Sequence, residues 1–92
     1  MYNKEHISEI FEILYESKKN IVFCSELIYR LNEKDIKYDD NEYNKLFKYV
    51  ESTGFAKGFY PVEFVMTGLS LSQEGYKMIY DHKNYIKYLE YI

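Results

Sequence analysis

Residues 39–72 read DDNEYNKLFKYVESTGFAKGFYPVEFVMTGLSLS, and the period of the apolar side chains changes within them. Before Gly54, the residues Tyr43, Leu46, Phe47 and Val50 recur at spacings of three and four, as on a helix with one apolar face. After it come Phe55, Phe59, Tyr60, Val62, Phe64, Val65 and Met66, β-favouring residues punctuated by Gly58, Pro61 and Gly68. Leu69 and Leu71 then alternate around Ser70 as a short strand. A helix running directly into a hairpin with an irregular tip is therefore expected. Asp39 and Glu42 have capping-box spacing, with Asp in place of Ser or Thr, and Gly54 stands where a C′ glycine ends a helix. The spacing predicts a helix over about 40–53. Its apolar arc turns Asn41, Asn44, Lys45, Lys48, Tyr49 and Ser52 outward.

Upstream, Ile7, Ile10, Phe11 and Leu14 repeat as i, i+3, i+4, i+7 and predict an amphipathic helix over 4–18, with Ile13 at the margin of its apolar face. Glu5, Glu9, Glu12 and Glu16 form an acidic row on its other side. Residues 20–23 read as a brief strand. Ser25 offers an N-cap oxygen for a helix through about Lys34 with Leu27, Ile28 and Leu31 inside. Downstream, Ser72 can cap a last helix over about 73–91, roughly 27 Å long at ~1.5 Å per residue. That helix carries two apolar stripes, Tyr76, Ile79, Ile86 and Leu89 on one side and Met78, Tyr85, Tyr88 and Ile92 on another. The second stripe exceeds what one-sided packing needs and is expected to serve dimerisation.

With 92 residues, 47% of them hydrophobic and 20% aromatic, the chain has the means to bury one core, so a single α+β domain over 1–92 is expected. The uncharged stretch between Glu63 and Glu74 is far shorter than a membrane span, and residues 1–20 lack the apolar region of a signal peptide. A cytoplasmic protein without membrane contact is the expectation. Cys24 has no second cysteine to pair with and follows Ile21, Val22 and Phe23, as a buried structural thiol does. Abundant Tyr, Lys, Asn and Ile beside single Ala and Arg residues match AT-rich codons, pointing to a low-GC bacterium or one of its mobile elements.

Helix, short strand, helix, helix, hairpin, helix is the order of a winged helix-turn-helix: a three-helix core, a β-hairpin wing and a long C-terminal helix. Gly54-Phe55 followed by Leu69-Ser70-Leu71-Ser72-Gln73-Glu74-Gly75-Tyr76 resembles the segment in which the last wing strand leads into a capped helix. The chain in this respect resembles small YjcQ-type Firmicute and prophage proteins and, more loosely, the DNA-binding core of MarR-like regulators. The resemblance implies that the third helix enters the major groove of double-stranded DNA through Asn41, Asn44, Lys45, Lys48 and Ser52, with Tyr49 at the edge. Asn suits adenine and Lys suits guanine or phosphate.

Charge gives the competing expectation. Fifteen acids against twelve bases leave −3, and from Phe59 to Tyr76 there is no Lys or Arg. Phosphate binding draws on cations, whereas a protein partner does not require them. The first expectation is a homodimeric DNA-binding transcriptional regulator. The second is a phage or mobile-element factor that inhibits or redirects a host protein through Glu5, Glu9, Glu12 and Glu16 or through the aromatic wing at Phe59 and Tyr60. No enzyme, metal or cofactor is expected. His6 and His82 lie far apart without Cys or carboxylates at ligand spacing, Asp39 and Asp40 read as a helix cap, and the four glycines form no phosphate-binding loop.

Overall fold

The Asn3 side chain accepts the backbone N–H groups of Glu5 at 2.8 Å and His6 at 3.4 Å, and so opens helix α1 (Lys4–Glu16). The computed structural model describes residues 2–18 and 20–82. Strand β1 (Val22–Phe23), helices α2 (Cys24–Glu33) and α3 (Asp40–Ser52), strands β2 (Ala56–Phe59) and β3 (Gly68–Leu71), and helix α4 (Gln73–His82) follow. The result is an α+β fold in which the described residues hold four helices and one three-stranded antiparallel sheet, ordered β1-β3-β2. The stripe on α4 formed by Tyr85, Tyr88 and Ile92, like Ile86 and Leu89, lies outside the described residues.

Ile7, Ile10, Phe11 and Leu14 of α1 meet Leu27 and Leu31 of α2, Leu46, Phe47 and Val50 of α3, Leu69 and Leu71 of β3, and Ile79 of α4 in one core. Burying each such side chain contributes about 1.5–3 kcal/mol. Ile13, placed at the margin by its spacing, is buried as fully as the rest. Tyr43 anchors α3 from within: its hydroxyl donates to the Ile36 carbonyl at 2.8 Å and lies 2.9 Å from Asn32 Oδ1. Burial pushes that phenol up from its ordinary pKa.

Three boundaries differ from the sequence expectation. α1 stops at Glu16, two residues early, because Lys18 adopts φ 57°, outside helical space. β1 is two residues long instead of four. Ser25 does not cap α2, which begins at Cys24 behind Phe23 with no side-chain cap. The sheet performs that task, since the Cys24 N–H donates to the Thr67 carbonyl at 2.8 Å as β1–β3 pairing continues into the helix. α3 starts as expected, with Asp39 accepting the Glu42 N–H at 2.8 Å, and ends before Gly54, whose φ is +83°.

The turn after α3 is locked to the start of α4. Ser72 Oγ donates to the Gly54 carbonyl at 2.8 Å and accepts the Gly75 N–H at 3.0 Å. Gly75 lies against the Phe55 carbonyl so closely that a Cβ would come within 2.0 Å of its oxygen. Only glycine fits there, and the contact fixes where the hairpin leaves α3.

Candidate recognition surface

The apolar arc of α3 faces the core, so Asn41, Asn44, Lys45, Lys48 and Ser52 are all exposed. At 100° per residue, Asn41, Lys45, Lys48 and Ser52 fall within one narrow outward row with no carboxylate among them. Tyr49 is different from its neighbours: it is half-buried, its ring stacked on Tyr2 with centroids 4.6 Å apart. It supports the edge of the row more than it extends it. Ser52 Oγ donates back to the Tyr49 carbonyl at 2.6 Å.

The acids of α3 sit on its flanks. Asp39 caps the helix, while Glu51 reaches toward the hairpin. One Glu51 oxygen accepts the Tyr60 hydroxyl at 2.7 Å, and the other accepts the Gly58 N–H at 3.1 Å. This hydrogen bond, aided by desolvation, pushes the Tyr60 phenol up to about 12. The carboxylate thus fixes the hairpin root to the last turn of α3.

The row of glutamates on α1 has company that α3 lacks. Arg30 of α2 holds Glu16 at 3.0 Å, and Lys34 lies 3.2 Å from Oε2 of Glu9, a buried oxygen for which this ion pair is the compensation. Glu12 lies between them, its pKa raised first by desolvation and then by the charge of Glu9. Lys34 is raised in turn by its contact with Glu9. Glu5 stands exposed in the first turn. Among the described residues, Lys45 and Lys48 take part in no ion pair, whereas Arg30, Lys34 and Lys37 each do.

The hairpin is apolar at its tip. Phe59, expected to be a contact residue, is half-buried and meets Phe23 edge-on, the ring centroids 6.5 Å apart. Phe23, Gly68 and Phe59 form one cross-strand row, and a Cβ on Gly68 would come within 2.8 Å of the Ile21 side chain and 2.9 Å of the Val22 carbonyl oxygen. Tyr60 remains 39% exposed beside Glu51. Sequence reasoning did not single out the apolar side chains that protrude at the tip and on β1: Phe64 at 82%, Val62 at 63%, Val65 at 54% and Phe23 at 52%. For Phe23 the signal was present, because the alternation of Ile21, Val22 and Phe23 on a strand sends the first and third away from the core. A cleft of about 650 Å³ between α3 and the tip is lined by Lys48, Tyr60, Glu63 and Phe64.

Met78, assigned to a dimer stripe, is half-buried against the core of its own chain. Cys24 is half-buried as well; its thiol points to the Met66 carbonyl at 3.8 Å, and burial pushes its pKa up. The His6 Nδ1 makes a hydrogen bond with the Tyr38 hydroxyl. Among the described residues no three His, Cys, Asp or Glu side chains converge on a point where a metal ion could sit, and no helix is long and apolar enough to cross a membrane. No protein family, curated protein or solved structure matches this chain.

Proposed function

We propose that the chain is a winged-helix DNA-binding protein, a transcriptional regulator that reads duplex DNA through the outward row of α3. The observation that carries this reading is the pairing of charges. Arg30 of α2 and Lys34 just past its end are held by the α1 glutamates, while Lys45 and Lys48 stand unpaired beside Asn41, Asn44 and Ser52 on a row free of carboxylates. That is the composition a major-groove helix needs, with amides for adenine and ammonium groups for guanine or phosphate. The element order and the β1-β3-β2 sheet support the winged-helix assignment, with α2 and α3 as the helix-turn-helix and the 56–71 hairpin as the wing. A net charge of −3 and the carboxylate of Asp39 keep nonspecific affinity low, so specificity must come from base contacts. Selection from a random duplex pool at low salt, followed by anisotropy titration, tests the reading. Lys45→Glu with Lys48→Glu should abolish retention, and each lysine that touches phosphate should account for about 0.9 of the log–log salt slope. Unchanged binding by the double variant would sink it.

A second reading, a regulator of a host protein, is favoured by one observation: the wing carries exposed Val62, Phe64 and Val65 and no cation between Phe59 and Tyr76. In that case the wing and not the α1 row would carry the contact, since Glu9 and Glu16 are already held by Lys34 and Arg30.

A further inference from the structure

The wing tip is a β-turn in which the Val65 N–H donates to the Val62 carbonyl at 3.0 Å, leaving Glu63 and Phe64 as its central residues. Phe64 has φ 66°, the left-handed conformation that such a turn normally assigns to glycine. A bulky side chain held in that conformation is strained. Its ring is 82% exposed and therefore returns almost nothing to the core. The fold bears a cost for a side chain that it does not itself use.

Elsewhere on the chain is a place for such a ring. Beside β1 runs a groove of about 370 Å³ whose walls include Ile21, Phe23, Glu26 and Arg30. Ile21 is 42% exposed and Phe23 52%. Phe23, on the wall of this groove, also meets Phe59 at the base of the wing. We propose that two copies of this chain form a closed two-fold pair in which Phe64 of each wing tip seats in the groove beside β1 of the other.

Three considerations select a second copy as the occupant. The first is area. At about 150–250 Å² per large side chain, Ile21, Phe23, Tyr60, Val62, Phe64 and Val65 leave on the order of 700 Å² uncovered, close to the ~800 Å² per partner of a standard interface. The second is charge. Glu63 and Lys57 near the wing, and Glu26 and Arg30 at the groove, present both signs, so this face can meet itself without the repulsion that the net charge of −3 imposes elsewhere. The third is that knob and groove are separate features of one chain. A two-fold axis satisfies both in both copies and closes the assembly. The pairing engages the wing tip, which shares a cleft with Lys48 of α3, and it stands whether or not α3 binds DNA.

The test is solution mass of the full chain, by light scattering or sedimentation, from about 1 µM to about 100 µM, a range that brackets micromolar association. Wild type should pass from monomer to dimer and stop there. Phe64→Gly removes the ring and relieves the turn; it should remain monomeric while its Tm equals or exceeds that of wild type. Phe23→Thr, which keeps a β-favouring residue on an exposed strand position, should weaken the dimer at least tenfold. A wild-type monomer throughout would overturn the pairing and leave the face to a different partner. Mass that climbs past the dimer would overturn the closed two-fold arrangement, and a dimer indifferent to both substitutions would place the interface elsewhere.

Discussion

Helices α1 and α3 are both 13 residues long, each buries one apolar face, and each presents a polar row on the other side. They differ in what stands next to that row. Along α1 the glutamates lie under α2, where Arg30 and Lys34 meet Glu16 and Glu9. Along α3 the lysines look into solvent. The same kind of sequence pattern therefore has opposite meanings: one row is spent on holding two helices together, and the other is available to something outside the chain. Charge composition alone cannot separate them, because pairing is a property of neighbours in space.

The largest effect should come from breaking the paired row. Arg30→Glu with Lys34→Glu turns two attractions into repulsions and should lower stability by about 1–2 kcal/mol in urea unfolding, given about 0.2–1 kcal/mol for each surface pair, with part of the loss recovered at high salt. The matching reversal on α3, Lys45→Glu with Lys48→Glu, should change stability by less than about 0.5 kcal/mol, as surface substitutions without partners do. Equal losses in the two variants would erase the contrast.

Asp39→Ala should cost about 1 kcal/mol, the usual worth of an N-cap, since it orphans the Glu42 N–H. It also removes a carboxylate from the N-terminal end of α3, so the proposed DNA affinity at low salt should rise even as Tm falls. A decline in affinity beyond the unfolded fraction would mean that Asp39 makes a contact of its own.

Glu12→Gln should have the smallest effect and the opposite sign. Glu12 lies four residues from Glu16 and three from Glu9, like-charge spacings that each cost about 0.2–0.5 kcal/mol. Its pKa is raised above the ordinary 4.5, so the folded chain holds the proton more tightly than the unfolded one. The penalty of its charge therefore grows as pH rises through the raised value and is complete at neutrality. The variant should be more stable than wild type by a few tenths of a kcal/mol at pH 7 and equal to it below the ordinary carboxylate range, as read by thermal melts across pH.

Much of this fold was legible because local rules act within a few residues. The Asp39 cap, the α3 arc, the Gly54 stop and the Leu69–Leu71 alternation each follow from spacing, and all appear in place. What escaped was set by distant partners. The start of α2 depends on Thr67, 43 positions beyond Cys24, and no capping rule contains that. The most exposed apolar side chains of the hairpin escaped for a similar reason. Phe59 and Tyr60 have the more conspicuous side chains, yet one leans on Phe23 and the other is tied to Glu51. The residues past Pro61, where pairing thins to a single bridge between Val62 and Val65, are the ones left outside.

Glu51 has an effect beyond orienting the hairpin. In the order β1-β3-β2, strand β2 is a margin of the sheet, and the pairing of its register with β3 turns the Gly58 N–H toward the open side. That donor is what an incoming strand from a neighbouring molecule would seize first. The carboxylate already occupies it and adds a negative charge at the same place. Lateral growth of the sheet into a fibril is thereby obstructed along this margin, a safeguard for a small chain that leaves several apolar side chains exposed close by.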